Sequence, residues 1–359
     1  MLERLARGRF PSGLAVTLVT PRRHHAYSGM VPGLVGGRYR TEDLLIDLAA
    51  LARAAGAEYR EGSVRRIDPG PRRVTLADGT PLGYDLLSFA IGSGNAGADR
   101  PGVREAAVFV KPIDRVVGLV PAVERLAAEA ARGRARVAVV GGGAAGVELA
   151  LNLRARLRLL RRDDASVSVI EGGPGILRDR SAACRRAAEA ALARHRIETL
   201  VGSDVARIDG ARVELESGRS LRVELVVWAT GPAAPDLFAG SGLATDDSGY
   251  LRVDATLRSL SHPEVFAAGD AAAVEGHPDL AKAGVYAVRQ GPVLGRNLAA
   301  AAAGRAVRRR FRPRRRFLAL LNTGDDRAIL SYGDLAATGR WAMALKDRID
   351  RRFVARFRR

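Results

Sequence analysis

Residues 137–150 read VAVVGGGAAGVELA, an apolar strand that runs into a glycine-rich turn and out into a helix. Gly141, Gly143 and Gly146 fit G-x-G-x-x-G. The first glycine permits the tight turn, the second lets backbone approach a pyrophosphate, and the third lets the helix pack on the strand. The helix then presents its unpaired N–H groups and positive dipole end to phosphate. An apolar run SVSVIE follows at 166–171 and ends in Glu171, 25 residues past Gly146. A carboxylate there can accept both ribose hydroxyls and repels a 2′-phosphate, which points to NADH over NADPH. The same residue is otherwise a plain surface acid.

More than a third of the chain precedes this turn, and its order repeats. A helix and strand, a short β meander, and a strand ending in AIGSG come first. A strand, helix and strand, a second meander, and a strand ending in WATG follow. The repeat predicts an α/β fold of two tandem Rossmann-like dinucleotide-binding domains with a C-terminal helical/β extension. The second copy is complete. The first begins at its helix, without an opening strand and glycine loop.

The elements expected are a helix over 2–9, a buried strand over 14–20, and a helix over 41–56 capped by Thr41 and stopped by Gly56. Further helices are expected over 114–132, 181–195 and about 280–303, the last carrying Pro292 as a kink. A β meander is expected over 197–223, then a strand within LRVELVVWATG. The basic run RRRFRPRRR at 308–316 reads as a linker, and 340–359 as a basic amphipathic helix.

The formal net charge is +19, and only Lys111, Lys282 and Lys346 of the 58 basic residues are lysine. Such arginine either binds phosphate and anionic lipid or forms ordinary solvated surface. One cysteine, Cys184, excludes an internal dithiol pair and reads as a helix-face residue. His24 and His25 lack partners at metal spacing, so no metal site is expected. MLERLARGRF has no secretory h-region and no long apolar run follows, so a cytoplasmic location is expected, with the inner membrane face as a further possibility.

Two other stretches carry chemistry. VFAAGD ends in Asp270 after an apolar strand, where a carboxylate can accept a ribityl hydroxyl or back a pyrophosphate turn, or simply cap a helix. HHAYSGMVPGLVGG is either a cofactor-facing loop or a Gly/Pro-rich turn.

These residues resemble the pyridine nucleotide–disulfide oxidoreductases, on GGGAAGVELA, the strand ends Ala90–Gly92 and Ala229–Gly231, and VFAAGD. Within that family the chain looks like type II NADH dehydrogenases. Closer still is the flavoprotein module fused to selenide, water dikinase, on YSGMVPG, VKPIDR, AGVYAVRQGPVLGRNL and the terminal LKDRIDRRF. The resemblance implies a split FAD domain over 1–113 and 238–310, an NAD(P)H domain over 114–237, and a basic extension over 311–359. It assigns Gly141, Gly143, Gly146, Glu171 and Gly231 to NADH, and Thr20, Gly92, Gly269 and Asp270 to FAD. Tyr27, Ser28, Met30 and Pro32 would wall the flavin, and Lys111 would pair with flavin or phosphate. The implied activity is a flavin-dependent NADH oxidoreductase with a small-molecule acceptor, a quinone or a selenium compound. Lys282 stands where type II NADH dehydrogenases tend to carry a quinone-side glutamine, which puts quinone in question. The missing glycine loop leads us to expect weak flavin retention unless such a loop is supplied ahead of Met1. The rival class is a non-catalytic basic protein on membrane or nucleic acid; nucleic acid is not the expected partner.

Overall fold

The computed structural model describes residues 1–131, 135–314 and 316–358, apart from the side chain of Asp114. The last residue of the helix expected to 132, Arg315 of the basic run, and terminal Arg359 lie outside the described residues.

In chain order, α1 (Leu2–Ala6) leads to β1 (Thr17–Thr20), α2 (Leu48–Ala54) and β2 (Glu58–Glu61). Then come β3 (Leu87–Phe89), β4 (Ala107–Phe109), α3 (Leu119–Glu129), β5 (Arg136–Val140) and α4 (Ala144–Leu159). They are followed by β6 (Ser166–Ile170), α5 (Ala182–Arg194), β7 (Glu198–Leu200), β8 (Leu225–Trp228), β9 (Val265–Ala267) and α6 (Gly284–Ala302). The last part is β10 (Ala319–Asn322), β11 (Ala328–Tyr332), β12 (Leu335–Gly339) and α7 (Arg340–Ala355).

The glycine-turn unit is a five-stranded parallel sheet in the order β4-β8-β5-β6-β7. Its strands are apolar on both faces because both are covered. Val137 and Val139 of β5 face a core shared with Val147, Leu151 and Leu157 of α4. Ala138 and Val140 face the opposite core with Trp228, Val205 and Val213. The edge strand β4 is drawn from ahead of residue 114.

The preceding unit holds two parallel pairs, β1 with β2 and β3 with β9, which no strand joins among the described residues. Each unit carries an antiparallel meander, over Val64–Gly83 and Val205–Arg222. Both meanders shift register at the same place, between Val64 and Arg66 and between Val205 and Arg207. A shared bulge at equivalent positions is the internal repeat seen in three dimensions.

Several elements differ from expectation. The helix expected over 41–56 is split. Thr41–Leu44 is one turn, Leu45–Asp47 pairs with His24–Ala26, and α2 restarts at Leu48. Asp47 caps α2 by accepting from the Ala50 amide at 2.9 Å, and Thr41 caps nothing. Strand pairing with the loop after β1 overrides local helix propensity here. Gly56, at φ +64°, ends the element as expected. The strand expected over 14–20 is shorter and only half-buried, because β2 is its one partner among the described residues. Residues Ile113–Gly118 form a 3-10 turn ahead of α3. Residues 220–222 close the second meander, while 198–200 belong to the parallel sheet. The described residues of the basic run have no regular structure, yet they are pinned: Phe311 is buried and its amide donates to Ala255 O at 2.6 Å. Pro292 lies within α6. Among the described residues no helix is long and apolar enough to cross a membrane.

Candidate functional site

The first site lies at the C-terminal ends of β5, β6 and β8. Gly141 has φ +115°, and a Cβ there would lie 2.4 Å from Ala229 O. A Cβ on Gly146 would lie 1.8 Å from Gly141 O, so helix and turn touch backbone to backbone. Gly143 caps α4 and has open space above it, as a backbone built to receive a ligand requires. Glu171 accepts from the Gly142 amide at 2.6 Å and from the Gly173 amide at 2.7 Å. Its two oxygens thus clamp two glycine turns together while its charge stays at the mouth of the cleft.

That cleft measures about 440 Å³, and Gly141, Glu171 and Gly231 line it. Arg100, Arg178 and Trp228 also line it, and the sequence reading did not single them out. Arg100 is held by Val205 O and by Glu216. Trp228 donates from Nε1 to Ala96 O at 2.9 Å, which closes the floor. The loop at 94–100 reaches this cleft through its pairing with Pro232–Ala233, a contact no local pattern announces.

A second cluster forms where β3, β4 and β9 end. Lys111 donates to Asp270 Oδ2 at 3.1 Å and to Ser93 Oγ at 2.8 Å, and Ser93 donates to the same carboxylate oxygen at 3.1 Å. Asn95 fixes the Lys111 carbonyl at 2.8 Å. Gly92 and Gly269 turn the chain here at φ +73° and +75°. The Gly269 amide donates to buried Gln290 of α6 at 2.5 Å, and α6 begins beside this turn without a side-chain cap. Gly92, Lys111, Gly269 and Asp270 therefore converge. Lys282 lies nearby, 3.9 Å above the Tyr250 ring, and burial pulls its ammonium pKa down.

The other sequence-derived residues are more dispersed. Thr20 donates to Arg22 O at 3.3 Å on the surface. Ser28 is exposed and faces Gly284 at the start of α6. Met30 and Pro32 are buried, Met30 within the main core. Tyr27 turns toward α7, its ring stacked on Phe353 at 4.5 Å and its hydroxyl on Asp350. Burial, then the Asp350 charge, pushes the Tyr27 phenol pKa up.

Among the described residues no group of acids, histidines or thiols has metal-site spacing. Cys184 is buried in the first turn of α5, its amide donating to Ser181 Oγ. One fold, two clusters and a glycine turn narrow the family, and the comparison with known sequences decides it: the profile of the pyridine nucleotide-disulphide oxidoreductases matches residues 1–291. The chain belongs to that family. An NADH dehydrogenase-like protein of Mycobacterium tuberculosis is 35% identical over 233 residues, which cover 64% of this chain and 58% of that protein. The demethylphylloquinone reductase of Synechocystis is 28% identical over 264 residues, covering 72% of this chain and 64% of that one. The chain thus spans less than two thirds of the length of either relative. The NDH2 structure from Plasmodium falciparum in complex with NADH shares the fold, with TM-score 0.80, 16% identity, and 99% and 94% of the two chains covered. The sulfide:quinone oxidoreductase of Aquifex aeolicus gives TM-score 0.79 at 19% identity over 99% and 89%.

Proposed function

We propose that the chain is a flavin-dependent NADH oxidoreductase that hands electrons to a small-molecule acceptor. The observation that carries this reading is the open glycine turn at Gly141–Gly146, with Glu171 clamped beside it at the mouth of a cleft of about 440 Å³. In this reading residues 114–237 bind NADH, with β4 lent from the preceding stretch. Residues 1–113 and 238–310 hold FAD, and 311–359 form the extension. Gly143 and the α4 N-terminus take the pyrophosphate of NADH, Glu171 takes the adenine ribose, and Gly231 and Trp228 border the path inward.

The second cluster fits the sugar end of a flavin dinucleotide. Asp270 offers a carboxylate already oriented by Ser93 and Lys111, and the α6 N-terminus offers uncapped N–H groups. No second strand–glycine-loop run stands ahead of β1 in this sequence. Bound FAD supplies a two-electron carrier between nicotinamide and acceptor. The chain's own part is to hold the partners in register, which needs no side-chain acid or base at the transfer step.

The relatives' names favour a quinone as acceptor, and the subgroup resemblance leaves a selenium compound as the alternative. A lipid-soluble acceptor suits peripheral membrane contact through the basic extension. The test is to incubate the full chain with FAD, remove the excess, and add NADH without oxygen. Bleaching of the visible absorbance of the oxidised flavin is expected. A chain that takes up FAD but stays oxidised under excess NADH contradicts the proposal.

A further inference from the structure

An amphipathic helix should bury its apolar stripe and expose its charges. In α7 only part of the stripe does so: Trp341 is 55% and Ile349 42% exposed, while Phe353 stacks on Tyr27. The face turned inward carries Ala342, Met343, Lys346, Asp350 and Val354, with Lys346 6% and Asp350 4% exposed. Lys346 Nζ donates to Asp350 Oδ2 at 2.9 Å and to the Gly29 carbonyl at 2.7 Å. Asp350 Oδ1 accepts the Tyr27 hydroxyl at 3.3 Å. A Cβ on Gly29 would lie 2.8 Å from the Tyr27 ring and 3.0 Å from Asp350 Oδ1. The pair therefore grips the back of the Tyr27–Met30 turn without slack. The front of that turn presents Ser28 to the first residue of α6.

Burying an ammonium and a carboxylate costs several kcal/mol per ion in desolvation by general estimates, and apolar side chains of similar volume serve stability as well. Removing either partner strands the other charge. What this arrangement gains over an apolar one is a fixed direction: one ammonium tied at once to a helix and to one backbone carbonyl of the turn.

We propose that Lys346 and Asp350 are positioning residues that set the Tyr27–Met30 turn against the N-terminus of α6, making α7 a working wall of the flavin cluster. The inference rests on the reading above only in taking that cluster for a flavin site.

The test compares the full chain with Lys346→Met, which keeps the stem and removes the ammonium, and with Asp350→Asn, which keeps the shape. Hydrogen–deuterium exchange is followed in peptides covering 26–36 and, as a control remote from α7, 205–222. Exchange over 26–36 should rise about tenfold in both variants, with 205–222 unchanged. In FAD-loaded protein the flavin absorption band should shift, and kcat for NADH oxidation should fall with KM nearly unchanged. Unaltered exchange over 26–36 overturns the proposal. So does faster exchange with an unmoved flavin band and unchanged kcat, because the turn would then be held without serving the site. Should Lys346→Met exchange throughout, Asp350→Asn decides by the same peptides. A chain that binds no FAD refutes the flavin reading and leaves the exchange result standing.

Discussion

At Gly146 a methyl group separates a working turn from a broken one. Gly146→Ala sets a Cβ against the Gly141 carbonyl and should destabilise the fold by about 3 kcal/mol or more, read as a fall in melting temperature. Gly143→Ala meets open space, so stability should change by about 1 kcal/mol or less while NADH affinity falls at least about tenfold. If both variants melt alike and bind NADH alike, the turn is not the dinucleotide site. Both Glu171 oxygens accept from backbone amides at the turn. Glu171→Ala should therefore lower kcat/KM for NADH and narrow the preference over NADPH; a constant ratio removes Glu171 from ribose recognition. Glu148, just past the turn, accepts from the Asn322 amide at 2.7 Å. Burial pushes its carboxyl pKa up to about 7, against the lowering pull of Lys346. Because the folded value is raised, its contribution is complete below the unfolded value of 4.5 and is lost as pH rises through about 7. Denaturant titrations at pH 5 and pH 8 should differ by up to about 3 kcal/mol in wild type and much less in Glu148→Gln. Equal pH dependence in the two proteins would assign the effect elsewhere. His195 works in the opposite sense. Burial lowers its pKa, so it favours stability above the ordinary histidine range and loses that contribution on acidification.

The elements show how a pattern is overruled by its neighbours. The 41–56 segment has helix periodicity, yet its middle is taken by His24–Ala26 as a strand partner. The 308–316 segment has linker composition, yet Phe311 plugs a core and Asn297 holds Arg309 from both sides. In α7 the exposed Trp341 and Ile349 stand beside the exposed Arg340, Arg348 and Arg352. Proposed contact with anionic lipid would fall on that outward face, each basic side chain near such a surface being worth up to about 1 kcal/mol. Co-sedimentation with anionic vesicles should weaken for Trp341→Ala/Ile349→Ala while the melting temperature changes little, since neither residue is buried. Equal sedimentation at low salt would place the lipid contact on other basic segments. A chain cut after Gly339 is a poorer probe, because the cut also removes Lys346 and Asp350 from the Tyr27 turn.

At the scale of the whole molecule, two nucleotide-type units face each other across β4 and the ribbon formed by Gly94–Asn95 and Pro232–Ala233. Lys111 follows directly on the sheet of one unit and lands on the acid of the other. Several arginines are locally matched: Arg23 to Asp47, Arg136 to Glu224, Arg162 to Asp164, Arg207 to Glu214. Exposed pairs of this kind contribute little to stability, and they leave the net positive field to act at longer range and low salt.

The sequence by itself determined the parallel sheet around β5, the glycine turn with an acid at the end of the next strand, the internal repeat, and the single thiol on a helix. Each of these is written locally, in apolar runs, in glycines a Cβ would exclude, and in meanders of matching length. Thr20, Met30 and Pro32 show the limit of that reading: a position after a strand names a neighbourhood, and only packing says which way a side chain turns. The tertiary structure alone decided that Ser93 and Lys111 meet Asp270, that Arg100 and Trp228 close the cleft, and that α7 turns a lysine and an aspartate inward. Those contacts join residues 159 to 323 positions apart in the case of Lys111–Asp270 and Tyr27–Asp350. A hydrophobic stripe ranks faces by transfer free energy, whereas an ammonium that finds both a carboxylate and a waiting carbonyl can be buried against that ranking.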